Sequence, residues 1–144
     1  DIFALHLYFS DKHALDPAVY LRAPDQLDAA KGDRTIVDKF VRTMRQSGDV
    51  SRKIWITEIS WNSAKNERGA PPLVIEQSTQ AQYLKSSFDI LFADAPAVDK
   101  IFWYQYQDVI GADGVPGFWG LYGTDKRTPK PSFCAFASYP KACQ

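Results

Sequence analysis

Apolar and polar residues alternate at the start of the chain. In Asp1–Phe9 (D-I-F-A-L-H-L-Y-F), Phe3, Leu5 and Leu7 fall on one side of an extended strand, with Ala4, His6 and Tyr8 on the other. A loop with Pro17 and Pro24 follows, expected to hold a short helical turn. The period then lengthens. Ile36, Val37, Phe40, Val41 and Met44 recur at helical spacing, Asp33 is the expected N-cap, and Gly48 stands where a helix stops. Lys53–Ile59 (K-I-W-I-T-E-I) is apolar on both faces before Glu58, the pattern of a parallel strand covered on both sides. After a long loop, Asn62–Gln77, a helix capped by Ser78 or Thr79 presents Ala81, Leu84, Phe88, Leu91 and Phe92 as its buried stripe, and Pro96 ends it. A third strand is predicted over Lys100–Gln107, then a Gly- and aromatic-rich loop from Asp108 to Thr124. The last helix is predicted over Pro131–Tyr139, with proline in its first turn.

Strand, helix, strand, helix, strand, helix is the order of an α/β fold with parallel strands and right-handed crossovers. There is no internal repeat. The 144 residues amount to one domain by length, yet three strands make a thin sheet whose outer strands both have bare edges. The chain reads as a piece of something larger. It opens at Asp1, inside a strand pattern, with neither an initiator Met nor a leader pattern. A processed or excised fragment is therefore expected, its address label missing.

Composition narrows the classes of partner. The chain carries 17 basic and 17 acidic residues, a balance that argues against nucleic acid, whose binders carry a basic surplus on one face. No apolar run approaches the roughly 20 residues that span a bilayer. Aromatic residues make up 14% of the chain, with four Trp and seven Tyr. Aromatic faces stack on the C–H faces of sugars and equally fill cores, so composition leaves both uses open. Cys134 and Cys143 bracket the terminal segment. Two free thiols and a bridge are both open on sequence alone; the bridge is slightly favoured because it would pin a segment that otherwise frays, and it would suit an oxidising, secreted or periplasmic setting. No cofactor is implied, and His6 and His13 lack partners at metal-ligand spacing.

In parallel α/β folds the active site gathers at the C-terminal ends of the strands. Glu58 lies at such an end, with Ile54, Ile56 and Glu58 alternating onto one face. His6 and Tyr8 occupy the same end of the first strand, and Trp103, Tyr104, Gln105 and Tyr106 that of the third. Taken singly, a carboxylate of this kind is more often a structural ion-pair member, and a lone His a satisfied core residue. A Tyr hydroxyl beside the carboxylate changes the balance, since it can keep the group ionised and fix its rotamer. That is what a carboxylate nucleophile requires.

These residues carry a resemblance. His6-Leu7-Tyr8 resembles the H-x-Y on the sixth barrel strand of many clan A glycoside hydrolases, and Trp55-Ile56-Thr57-Glu58-Ile59-Ser60-Trp61 resembles their seventh-strand W-I-T-E-x-G/S-W. Phe102-Trp103-Tyr104 with Asp108 is similar to the eighth strand. Phe118-Trp119-Gly120-Leu121 and Thr128-Pro129-Lys130-Pro131-Ser132-Phe133 resemble the closing F-G-L…D-G-x-P-K-P-A-Y segment. The similarity covers nearly all of residues 1–144. It implies the C-terminal portion, strands six to eight, of a TIM (β/α)₈ barrel that cleaves O-glycosidic bonds with retention. Glu58 would be the nucleophile, Tyr8 its orienting partner, and His6 a hydrogen-bonding partner of the sugar or of Glu58. Trp103 or Tyr104 would stack on the sugar. Trp61 and Trp119 would line neighbouring subsites or pack loops.

The chain also departs from that pattern. Retaining enzymes use two carboxyl groups at roughly 5–5.5 Å, and the resemblance puts the acid/base on an Asn-Glu pair of the fourth strand, which has no counterpart here. Glu67 and Glu76 lie in or beside a loop without a preceding Asn. A barrel takes about 250 residues, so the expected partners are a carbohydrate substrate and the missing N-terminal barrel half. A non-catalytic carbohydrate-binding or scaffold fragment is the competing reading. A phosphate-binding isomerase is disfavoured, because no Gly-rich loop precedes a helix.

Overall fold

The computed structural model describes residues 2–7, 16–23, 26–49, 51–63, 75–112, 114 and 116–139. Segments rich in Ile, Val, Phe and Trp, side chains that fit a pleated surface, form three strands: β1 (Ile2–Leu7), β2 (Lys53–Ile59) and β3 (Val98–Trp103). They pair in parallel in the order β1-β2-β3. Among the described residues four α-helices accompany them: α1 (Pro17–Leu21), α2 (Ile36–Gln46), α3 (Gln77–Asp94) and α4 (Pro131–Ala137). A short antiparallel hairpin, β4 (Val109–Ile110) with β5 (Pro116–Gly117), rises within the loop predicted after the third strand. The α/β class with parallel strands is therefore present, as an open three-stranded sheet. No described helix is long and apolar enough to cross a membrane.

One face of the sheet supplies the core. Leu7, Ile54, Ile56, Ile59, Val98, Ile101 and Trp103 are buried together with Ile36, Val37 and Met44 of α2 and Leu84, Phe88 and Leu91 of α3. Both helical stripes fall where their spacing put them except at Phe40, which was placed in the α2 stripe and is instead exposed. On the other face Ala4, His6 and Phe102 are exposed, so helices cover the sheet from one side. Phe88, fully buried, meets Phe92, Phe136 and Tyr139 edge-on at 6.0, 6.1 and 5.3 Å, which locks α4 onto α3. Phe88→Ala is expected to cost about 3–5 kcal/mol, read as a lowered urea midpoint; an unchanged midpoint would contradict this packing.

Element ends moved for identifiable reasons. α2 is capped by Thr35 rather than Asp33: the Asp38 carboxylate turns back to accept Thr35 N at 2.8 Å. Asp33 is instead buried, accepting Asp28 N at 2.9 Å and pairing with Arg42. α3 starts at Gln77, with extended Glu76 as its N-cap, ahead of Ser78 and Thr79. β3 stops at Trp103 instead of reaching Gln107, because Tyr104 N makes the last bond to Ile59 O (3.1 Å) and the chain then turns to meet Leu121 and Tyr122.

Candidate functional site

Strict alternation would place Glu58 on the core face behind Ile54 and Ile56. It does not lie there. Leu5 pairs with Ile56 but His6 pairs with Glu58, so β2 carries one residue more than β1 across this step. Against β3 the same step runs from Ile56↔Ile101 to Ile59↔Trp103. Ile59 takes the buried place that alternation assigned to Glu58. Such a bulge re-aims a side chain, and here it sets Glu58 beside His6. Their Oε2 and Nδ1 atoms are 3.5 Å apart, and 27% of the Glu58 side chain and 52% of His6 are exposed. The separation allows an electrostatic contact and is long for a good hydrogen bond. The result is an accessible carboxylate with an imidazole at its side, at the C-terminal end of the central strand.

The other expected site residues divide by burial. Trp61 is 3% exposed, between Trp103 (6.0 Å) and Tyr83 (5.6 Å), so of its two open roles packing is the one its surroundings fit. Trp103 is also buried, and its Nε1 donates to Trp119 O at 3.0 Å. Tyr104 and Trp119 are half-buried. Tyr8 lies outside the described residues, as do His13, Glu67 and Cys143; Cys134 is exposed on α4. Among the described residues no group of three or more His, Cys, Asp or Glu side chains could hold a metal ion.

Ser60, two residues beyond Glu58, meets the segment 118–120, which is tied down almost wholly through its backbone. Trp119 O accepts Ser60 Oγ (3.0 Å) as well as the Trp103 indole. Phe118 O receives Ser63 N (2.9 Å), Ser63 Oγ (3.1 Å), Gln80 Nε2 (3.1 Å) and Lys130 Nζ (3.1 Å), while Phe118 N donates to Asn62 Oδ1 (2.9 Å). Beneath lies a buried ion pair: Lys130 Nζ is 2.9 and 3.2 Å from the two Asp108 oxygens, and Gly120 N donates to Asp108 Oδ1 at 2.8 Å. Burial pushes the Asp108 carboxyl above its ordinary range despite Lys130, and pushes the Lys130 ammonium below its own. Gly120 is required by contact, since a Cβ there would sit 2.2 Å from the Gln107 carbonyl carbon. Asp108 and Lys130 entered the sequence reading only inside motif segments. Their pairing across 22 positions has no local periodicity to announce it.

No protein-family model matches the sequence, and no curated protein does. Solved structures do. A Faecalibacterium prausnitzii β-glucuronidase aligns with 98% of this chain and 22% of its own, at TM-score 0.61 and 15% identity. A GH2 β-galacturonidase from Eisenbergiella tayi bound to glycerol aligns with 69% of this chain and 19% of its own, at TM-score 0.54 and 17% identity. The same kind of enzyme bound to galacturonate aligns at TM-score 0.52 and 18% identity. At such identities the likeness is one of fold. The chain spans about a fifth of the length of these structures, between 19% and 22%.

Proposed function

We propose that this chain is the nucleophile-bearing portion of a retaining glycoside hydrolase with a clan A (β/α)₈ barrel, β1 to β3 being strands six to eight. The observation that carries the reading is the bulge in β2, which takes Glu58 out of the core and sets it against His6 at the mouth of the sheet. The fold likeness to β-glucuronidase and β-galacturonidase structures supports it at the level of the scaffold. The open sheet face, and the outer edges of β1 and β3 that no strand pairs among the described residues, suit a barrel completed by strands outside this chain.

In this mechanism a Glu58 oxygen attacks the anomeric carbon and forms a glycosyl ester as the glycosidic C–O bond breaks. The bond's electron pair goes to the leaving oxygen, which takes a proton from a carboxyl group contributed outside this chain. Water then attacks the same carbon, gives its proton to that carboxylate, and releases the sugar and the free Glu58 carboxylate. His6 holds the Glu58 rotamer. Tyr104 and Trp119 offer half-buried rings to sugar faces, and the orienting hydroxyl is the role assigned to Tyr8.

A 2-fluoro sugar with an activated leaving group tests the reading, because it lets the glycosyl ester accumulate. In the protein that carries this chain, peptide mass spectrometry should find the label on Glu58. Sugar binding with no label on Glu58 would favour the non-catalytic carbohydrate-binding fragment instead.

A further inference from the structure

A second concentration of charge lies at the opposite pole of the sheet, where β2 and β3 begin. Lys53 opens β2, and Ala97 O, just before β3, accepts Ile54 N at 2.9 Å. A cavity of about 650 Å³ opens here, its wall carrying Lys31, Arg34, Arg42, Arg45, Arg52 and Lys53. The only carboxylates among the described lining residues are Asp33 and Asp38, and both are committed. Asp33 is buried and holds Arg42 in place; Asp38 accepts Arg34 N and Thr35 N, each at 2.8 Å. Lys31, Arg34 and Arg52 reach Asp28, Asp94 and Asp49 at the margin. Arg45 and Lys53 are exposed and have no ion-pair partner among the described residues.

We propose that this cavity binds a small multivalent oxyanion, a molecule bearing phosphate or sulfate groups. Guanidinium forks match tetrahedral oxyanions with paired hydrogen bonds, and Lys adds a mobile point charge. Four of the six cations already have carboxylate partners, so the charge left over is that of Arg45 and Lys53, and an anion drawn between these two on the cavity wall relieves their repulsion. The described lining has no aromatic ring on which a neutral sugar or a nucleobase could stack. The cavity is also remote from Glu58: five residues of strand at about 3.3 Å each separate Lys53 from it, roughly 16 Å. It is a different site, and its failure would leave the reading of Glu58 untouched.

Calorimetric titration of the chain with inorganic pyrophosphate and, separately, with inorganic sulfate, in low-salt buffer, tests this. Saturable one-site binding is expected, and the tighter of the two anions identifies the phosphoryl or sulfuryl source. The double variant Arg45→Gln, Lys53→Gln should weaken binding at least roughly tenfold, a loss of about 1.4 kcal/mol, with an unchanged circular dichroism spectrum. Lys126→Gln, Arg127→Gln, on an exposed turn away from the cavity, should bind as the parent does. Absence of saturation, undiminished binding by the Arg45/Lys53 variant, or an equal loss in the Lys126/Arg127 control would each overturn the proposal.

Discussion

Replacing Glu58 by Gln is expected to lower glycoside turnover by roughly 10⁴- to 10⁶-fold, the scale on which loss of a covalent nucleophile is felt. The amide keeps the shape and hydrogen-bonding reach of the carboxylate but cannot form the glycosyl ester. Glu58 is 27% exposed at the end of a strand whose inward residues lie elsewhere, so the fold should survive, with an unchanged melting temperature. Glu58→Ala adds a second readout. The space it opens admits azide, which should restore turnover and give a glycosyl azide of inverted anomeric configuration, one displacement having replaced two. Near-parent activity in Glu58→Gln would remove Glu58 from the nucleophile's role.

The second large effect concerns stability. Asp108→Ala should destabilise the fold by about 3–5 kcal/mol, because it strands the Lys130 ammonium in a buried site. That side chain is 2% exposed, and Asp108 is its only ion-pair partner among the described residues. Gly120 N loses its acceptor at the same time. Replacing both members, Asp108→Leu with Lys130→Met, should recover much of the loss, since an apolar pair leaves no uncompensated charge. Urea denaturation of the single and double variants gives the comparison. A double variant as unstable as the single would mean that the polar contacts to Phe118 and Gly120, rather than the charge, dominate.

How far the sequence reached depends on the range of each interaction. The stripes of α2 and α3 were legible because helical burial is a property of spacing within one segment: Val37, Met44, Leu84, Phe88 and Leu91 all lie inward. The burial of Ile54 and Ile56 followed from an apolar run in the same way. The direction of Glu58 was not legible. Alternation assumes an unbroken pleat, and the extra residue in β2 exists only in its register with β1 and β3. Thr35 displaced Asp33 as the α2 cap because Arg42, nine positions on, draws the Asp33 carboxylate inward. The division of the tryptophans into buried Trp61 and Trp103 and half-buried Trp119 was likewise hidden, since an indole reads the same in a core and in a groove.

The bonds that fix Phe118 and Trp119 end on main-chain atoms, not on their rings. Any amino acid other than proline presents the same amide and carbonyl, so the anchor is indifferent to what stands at position 119. Evolution could exchange that ring for another shape while the platform beneath it stayed as it is and, on the proposed reading, so retune the sugar that is preferred.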